Sequence, residues 1–506
     1  MMLTKSASLL RHSGARRQPN GFNHWDAAAG GVQKIEHVCE STGIGIAVKH
    51  VLQCVPRHQG SIFSNGFRQN VAMEEHGDKE RRLFNRGRRA AHVLFAAGLL
   101  AMSSPAAAEG WEFGGHLKYQ YSYTDFQSGD VAALYGDDPA RDHAFDGRLK
   151  AEWRKPGWDF AAHYEVLALN GDSLETRRAM NAGLLAPGSA SGLPDDRKRL
   201  FDLSDDFVDQ SRTAAVHRLD RLSLGYTADK ATLRLGRQAM SWGNGLAFQV
   251  FDFVNPFSPV AVDKDYKTGE DMLYGQWQWM DQGDLQLLLL PRRDPLTHKL
   301  DREQASQALK LHARAAGFDV DAMLARHYDQ TLLGIGMVRS IGGAVWRLDV
   351  LHTEVPRRDG AWSLVTNLDY SWTLFGKNVY SFVEYFRNGF GVYREADYLA
   401  MDPQLTARVA RGELYALGRD YLVLGVQIEA WPLFNMFVTL LQNLNDASRL
   451  VQLRGVYDWR QNLQVMAGAN LPAGERGSEY GGLPVAPGGP YLAAGSSVYA
   501  RVGYYF

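Results

Sequence analysis

Cysteine is nearly absent from this 506-residue chain, and both copies, Cys39 and Cys54, lie in the first 80 residues. Residues 109–506 can therefore form neither a disulfide nor a thiolate metal site, and an enzyme that uses a thiol is excluded. A strong positive charge is also absent, because residues 109–506 carry 41 Lys and Arg against 49 Asp and Glu, a net charge of −8. This acidic balance argues against nucleic acid as a partner.

Long hydrophobic runs are missing as well. The most apolar run, residues 90–102, is shorter than the roughly 20 residues that a membrane-spanning helix needs. Several arginines precede it, and the segment SSPAAA follows it with Ala106 and Ala108 at the positions of an A-x-A cleavage site. The sequence therefore predicts a signal peptide over residues 81–108, which is cleaved after Ala108 and directs the chain to the periplasm.

About 80 residues precede this signal, although a secretory signal should open a chain. They are rich in Arg, His, Gly and Asn and show no periodicity. We expect translation to start near Met73, or at a non-Met codon beyond it. Residues 1–80 would then be an untranslated or disordered leader.

Apolar and polar residues alternate in many short segments of residues 109–506. In residues 111–124 the aromatic residues and Leu occupy odd positions, and residues 495–506 alternate in the same way and end on Tyr504 and Phe506. A period of two indicates strands with one apolar face, which a soluble sandwich would also have. The predicted signal peptide favours instead a barrel whose last strand closes against the first, since an unpaired terminal strand invites aggregation.

Short and long connections separate these predicted strands in turn. The short ones, such as KPG at 155–157 and FGKN at 375–378, contain Gly, Pro, Asn or Asp, which suit tight turns. In outer-membrane barrels the short turns face the periplasm and the long loops face outward. We therefore predict an all-β fold over residues 109–506, a closed antiparallel transmembrane β-barrel of about 18 strands with a range of 16–18. The strands are predicted to start near residues 111, 143, 158, 215, 231, 271, 284, 305, 318, 331, 343, 361, 378, 418, 433, 449, 462 and 495.

A barrel of this size is wide enough to enclose an aqueous channel. We expect a porin-like channel for passive diffusion of small hydrophilic or charged solutes. The alternatives are a barrel component of an envelope export or lipid or polysaccharide transport complex, and an outer-membrane enzyme. The enzyme has little support, because the sequence contains no HExxH, G-x-S-x-G, P-loop or dinucleotide fingerprint. We expect no catalytic residue, no metal and no cofactor.

Twin-arginine export is the weaker alternative for the signal, because outer-membrane barrels must cross the inner membrane unfolded.

The loop at 243–270 is too apolar to be free in solvent. It contains Phe248, Val250, Phe251, Phe253, Val254 and Phe257, together with Pro256 and Pro259. We expect it to fold into the barrel and narrow the lumen. The constriction candidates are Asp252, Asp263, Asp265, Glu270 and Asp271 on the loop side and Arg234 and Arg237 on the wall. A field between acids and bases would select solutes by charge. Alternatively, Arg237 and Asp252 pair simply to hold the loop down, and its aromatic residues form a local core.

The same segment carries a motif in which GRQ…SWG at a strand end is followed by D…NP…P. Its residues are Gly236, Arg237, Gln238, Ser241, Trp242, Gly243, Asp252, Asn255, Pro256 and Pro259. It resembles a motif of large, poorly characterised porin-like outer-membrane barrels of Gram-negative bacteria, which are similar in general form to carbohydrate- and alginate-export porins. The resemblance implies a barrel in the outer membrane of a Gram-negative bacterium and implies no substrate.

Two other long loops and the chain end complete the expectations. Residues 197–210 have apolar residues at helical spacing, and their carboxylates either bind a divalent cation or form a solvated loop near lipopolysaccharide. Residues 398–414 are expected to cap or plug the pore mouth. Tyr504 and Phe506 are predicted to form the signal that barrel-assembly machinery recognises. Outer-membrane lipid and lipopolysaccharide are further expected partners, and a homotrimer is an option.

Overall fold

The computed structural model describes residues 110–183, 192–262 and 264–506. The leader and the signal peptide, with Ala106 and Ala108, lie outside the described residues, as does the constriction candidate Asp263. No helix within the described residues is long and apolar enough to cross a membrane.

The described residues form 21 strands, three α-helices and one 3-10 helix. The strands are β1 (Trp111–Asp125), β2 (Ala140–Lys155), β3 (Trp158–Gly171), β4 (Ser204–Gln210), β5 (Thr213–Thr227), β6 (Ala231–Gln238), β7 (Glu270–Met280), β8 (Gly283–Arg293), β9 (Leu300–Ala315), β10 (Phe318–His327), β11 (Gln330–Ile341), β12 (Ala344–Glu354), β13 (Ala361–Leu374), β14 (Lys377–Arg387), β15 (Asp420–Trp431), β16 (Phe434–Asn443), β17 (Arg449–Arg460), β18 (Leu463–Ala473), β19 (Leu483–Pro484), β20 (Tyr491–Leu492) and β21 (Ser496–Tyr505). The helices are α1 (Val131–Tyr135), α2 (Asp172–Gly183), the 3-10 helix (Glu395–Ala400) and α3 (Pro403–Ala410).

Eighteen of these strands form one closed antiparallel wall. Each pairs with the next wall strand along the chain, and β1 pairs with β21 from His116 opposite Tyr505 to Asp125 opposite Ser496. Eight turns of two or three residues lie at one end of the barrel, here called the short-turn end. The long connections and the two-residue turn at 328–329 lie at the other, the long-loop end. The prediction of a closed barrel of about 18 strands is confirmed. Every predicted strand start lies within five residues of the observed one.

The wall has an apolar outer face and a more polar inner face, as the alternation predicts. On β13, β14 and β15 the outward side chains of Leu368, Val383 and Leu424 are opposite one another and about two-fifths exposed. The inward side chains of the next rung, Glu384 and Val423, are fully buried, although they face the interior of the barrel. Something inside the barrel therefore covers them.

Residues 197–210 do not form the helix that their spacing suggested. Their second half is β4, an extra strand that pairs with the first half of β5. The reason lies in β6, which ends at Gln238 and pairs with β5 only from Leu222 onward. Without β4, the backbone groups of β5 nearer the long-loop end would lack partners on that side.

Phe506, the last residue, extends the pairing between β1 and β21 that closes the barrel. The backbone N–H of Gly115 donates to the carbonyl of Phe506 at 2.8 Å, and the N–H of Phe506 donates to the carbonyl of Gly115 at 3.1 Å. A Cβ atom at Gly115 would collide with the Arg148 carbonyl and would lie 2.7 Å from the Phe506 ring. Glycine is therefore required for this close approach.

We predict that Gly115→Ala destabilises the closed barrel by roughly 1–3 kcal/mol, because the wall must shift to admit the methyl group. Gly275→Ala is the matched control, since a Cβ there would meet only Leu233 and Leu287 at ordinary contact distances of 3.8 and 4.0 Å. The measurement is the folded fraction by heat-modifiable gel mobility during thermal unfolding. Equal midpoints for the two variants would contradict the prediction.

Candidate functional site

The β6–β7 loop, residues 239–269, occupies the interior of the barrel. Phe248, Phe251, Phe253 and Val254 are each no more than 5% exposed. They pack with the inward side chains of β11 to β16, which include Leu332, Leu351, Val365, Phe386, Tyr421, Val423 and Leu441. Because β14 stands eight strands from β6 in the ring of 18, the loop crosses to the opposite wall. Apolar contact holds it there, with the Phe248 and Phe386 rings stacked 4.3 Å apart.

Two inward carboxylates of the far wall bind the loop backbone. Glu384 on β14 accepts hydrogen bonds from the N–H groups of Leu246 at 2.6 Å, Ala247 at 3.1 Å and Phe248 at 2.8 Å. Asp349 on β12 accepts from the backbone N–H and the side-chain amide of Asn244, both at 2.6 Å. Donor groups of the loop, rather than cations, thus stabilise these buried charges.

Alternation places Glu384 and Asp349 on the inner face, but it does not reveal their partners. These partners lie 138 and 105 residues earlier in the chain, beyond the reach of any sequence spacing. Both carboxylates were therefore absent from the predicted site, although they hold the loop.

The motif residues keep the loop in place from its own side. Gly236 and Gly243 have φ angles of +114° and +103°, which favour glycine. The Trp242 indole donates to Gln286 Oε1 at 2.7 Å, and Gln238 donates to the Met272 carbonyl at 3.4 Å. Pro256 lines a cavity of about 60 Å³ within the loop core.

Asp252 and Lys267 form an ion pair within the loop and do not face a wall arginine. The Lys267 ammonium contacts the Asp252 carboxylate and also donates to Ser241 Oγ at 3.2 Å. Burial raises the pKa of Asp252 and lowers the pKa of Lys267. Arg237 does not pair with Asp252, so the two hold the loop through different partners.

Arg237, Asp271 and Glu270 lie in a buried cluster at the long-loop end. Arg237 donates to Asp271 at 2.9 and 3.0 Å and to Asp196 at 2.7 Å. Glu270 accepts from Arg199 at 3.0 Å and from the Asn255 amide at 2.9 Å. The cluster ties segment 196–203 to the ends of β6 and β7, and Arg237 is only 1% exposed.

Among the described constriction candidates, Asp265 connects the loop to two strands of the wall. It accepts from Lys118 on β1 at 2.6 Å and from the Tyr505 hydroxyl on β21 at 3.0 Å. Arg234 on β6 pairs with Asp159 on β3 at 3.0 Å, and its side chain is about one-third exposed. Among the described acidic candidates, Asp265 therefore faces a wall lysine and Asp271 pairs with the wall residue Arg237, whereas Asp252 and Glu270 pair with Lys267 and Arg199.

Open space remains around the loop tip, residues 264–266. A cavity of about 230 Å³ between loop and wall is lined by Lys264, Gln452, Arg454 and Tyr499, among others. A second cavity of about 520 Å³, lined in part by Asp265 and Tyr266, opens at the short-turn end. The loop thus leaves open space between its tip and strands β14 to β18 and β21.

Basic and acidic side chains both border this space. Arg148 lies over the Tyr266 ring at 4.4 Å and pairs with Glu165 and Asp220. Lys150 donates to the Tyr266 hydroxyl at 3.3 Å. Lys264 and Arg454 line the same cavity, and burial, reinforced by the nearby Arg454, lowers the pKa of Lys264.

A second carboxylate cluster fastens the loops at the long-loop end. Glu479 accepts from the Leu417 N–H and from the Asn443 amide, both at 2.8 Å, and from the Tyr421 hydroxyl. The Tyr398 hydroxyl donates to Asp446 at 2.8 Å. These contacts hold the helical segment 395–410 over the barrel on the side of the apolar core. Among the described residues no cluster of His, Cys, Asp and Glu could hold a metal ion.

No protein-family model and no characterised protein sequence matches this chain. Solved structures of bacterial porins share its general architecture. The BenF-like porin from Pseudomonas fluorescens Pf-5 is similar at a TM-score of 0.45 and 8% identity, with 79% of this chain and 99% of that chain covered. OccK7 (OpdD) from Pseudomonas aeruginosa is similar at 0.44 and 12% identity over 79% and 99%. OccAB2 from Acinetobacter baumannii is similar at 0.44 and 11% identity over 80% and 99%.

We predict that Glu384→Ala releases the loop from the far wall and raises single-channel conductance roughly twofold or more, because a lumen of this width is then less obstructed. The loss of the carboxylate leaves three buried N–H groups without their acceptor, at a cost of about 1–3 kcal/mol each. Glu429→Ala is the control, since this wall carboxylate bonds Asn378 at 2.7 Å and not the loop. Unchanged conductance in a folded Glu384→Ala barrel would contradict the prediction.

We predict that docking of the long loops weakens as the pH rises. Burial raises the pKa of Glu479 from 4.5 to about 7, so the folded protein keeps a proton that the unfolded chain releases. This contribution, on the order of 3 kcal/mol, is complete below about pH 4.5 and is lost as the pH rises through about 7.

The measurement is hydrogen exchange of residues 395–417 at about pH 5 and about pH 8, corrected for intrinsic rates. Glu479→Gln should abolish the pH dependence, whereas Glu475→Gln, at an exposed position in the same loop, should retain it. The explanation fails if both variants respond to pH as the unmodified protein does.

Proposed function

We propose that this protein is an outer-membrane channel for passive diffusion of small hydrophilic solutes, with a preference for anions. The division of the barrel interior carries the proposal. The loop packs apolar side chains against β11 to β16, while cavities, one of them lined in part by Lys264 and Arg454, remain between the loop tip and strands β14 to β18 and β21. A closed wall with a polar, off-centre passage is the arrangement of a diffusion pore.

The outer surface supports placement in a membrane. Its exposed side chains are largely apolar, and Trp158, Trp277, Trp431 and Trp459, each 45–60% exposed, lie at strand ends next to the short turns. Exposed aromatic residues at this level are typical of the girdle at a membrane interface. The short-turn end would then face the periplasm and the long-loop end the exterior.

The charges beside the passage support a preference for anions. Lys264 on the loop and Arg454 on β17 line the same cavity. A small carboxylate or phosphate would meet cationic groups on both the loop and the wall. The solute class proposed is therefore small organic or inorganic anions.

The test is single-channel recording of the purified protein in planar bilayers with asymmetric salt. We predict discrete conductance steps and a reversal potential that indicates anion selectivity. The double variant Lys264→Gln/Arg454→Gln should lower the anion-to-cation permeability ratio by about three- to tenfold, because two charges beside the passage are lost.

Arg302→Gln/Arg326→Gln is the charge-matched control, because both arginines border a pocket on the outer wall and not the lumen. It should leave the reversal potential unchanged. A folded barrel that never conducts would refute the channel, and conducting variants with identical reversal potentials would refute the proposed source of selectivity.

A further inference from the structure

A groove of about 730 Å³ lies on the outer wall of the barrel, outside the lumen. Its lining is mostly apolar and includes the outward side chains of β5 to β9. Barrel walls are usually convex towards lipid, so a covered groove of this size needs a specific cause. That cause is segment 196–203, whose residues Leu200 and Phe201 form one border of the groove.

Residues that are register partners form the floor of the groove. From strand to strand they are Leu224, Leu235, Leu273, Leu289, Gln307 and Arg326. Neighbouring strands are ~4.8 Å apart, so the row is about 24 Å long. Because strands of such barrels tilt by about 35–45°, the row rises diagonally towards the long-loop end. Its apolar part leads to a charged end at Arg326.

The buried Arg237–Asp271 pair holds the border in place. Asp271 accepts from the Phe201 N–H at 2.8 Å, and Arg237 donates to the Phe201 carbonyl at 2.8 Å. The motif residue Arg237 and its partner Asp271 therefore position Phe201 beside the wall, where its ring stays half exposed. An apolar ring held half exposed at the edge of an apolar groove suits contact with a hydrocarbon chain.

We propose that this groove binds one acyl chain of lipopolysaccharide, with a lipid phosphate at Arg302 and Arg326. Both arginines border the groove at the long-loop end, where the outer leaflet lies. Arg302 is exposed and has no ion pair with any described residue, whereas Arg326 pairs with the exposed Asp329. The apolar row accepts the chain, and the guanidinium groups complement the phosphate charge. The inference rests on the proposed outer-membrane location and not on channel activity.

The experiment measures binding of diphosphoryl lipid A to the full-length protein in detergent by native mass spectrometry. We expect one tightly retained lipid per barrel. Leu273→Trp, which fills the middle of the row, should weaken retention at least about tenfold, by loss of the apolar contact. Leu368→Trp, at an outward position on β13 away from the groove, should have no effect.

The head group is tested with Arg302→Gln/Arg326→Gln. This variant should weaken diphosphoryl lipid A about tenfold, which corresponds to ~1.4 kcal/mol, and should leave an uncharged alkyl glycerol unaffected. Lys264→Gln/Arg454→Gln, the lumen variant, is the charge-matched control and should bind lipid A normally.

Equal retention by all variants would overturn the proposal, because it would indicate non-specific lipid around the barrel. Equal retention of a zwitterionic phospholipid would overturn it too, because a phosphate compensated by its own ammonium group would then bind as well as the phosphates of lipid A. A barrel that is silent in bilayers yet binds lipid A through these residues would refute the channel and leave this site standing. Heat-modifiable mobility verifies that each variant is folded.

Discussion

The arrangement of the lumen depends on the contact between the Glu384 carboxylate and three successive backbone N–H groups of the β6–β7 loop. An 18-strand wall encloses more space than its own side chains can fill. A loop that enters this space must satisfy its backbone polar groups there, since unpaired buried N–H groups are costly. Glu384 and Asp349 supply those acceptors, and the phenylalanines between them supply the apolar contact.

Once the loop is fixed on one side, the charges of the rest of the molecule fall into separate groups. Ion pairs that involve Asp252, Glu270 and Asp271 are buried and hold segments together. Lys264 and Arg454, in contrast, face open space within the lumen. Buried pairs of the first kind contribute position rather than large net stability, because desolvation offsets much of their attraction. Some charged side chains of this barrel thus form buried pairs that hold segments together, and others line open space in the lumen.

The wall was predictable from the sequence, because each strand is a local pattern of period two with turn residues at its ends. The helix predicted in residues 197–210 was wrong, because their apolar spacing suits a helix but tertiary contacts decide otherwise. The observed strand β4 pairs with the part of β5 that β6 does not reach. The phenylalanines of the loop could be recognised in the sequence. The wall carboxylates that bind the loop could not, because Glu384 and Asp349 come close to it only in the closed barrel. The pairing of Arg237 with Asp271 instead of Asp252 has the same origin: the fold decides which neighbours come together.

The pairing of β1 with β21 has a consequence for the order of events in folding. Gln120 and Arg501 meet across that seam although 381 residues separate them, whereas the other wall strands pair with their neighbours in the chain. Closure is therefore the most non-local step, and the edge of β1 that faces away from β2 stays unpaired until β21 has formed. In a bilayer an open sheet would leave the backbone groups of both edges unpaired, at a cost of several kcal/mol each. A half-built wall is thus not a stable state in lipid, and insertion must either coincide with closure or proceed with both edges shielded by another strand.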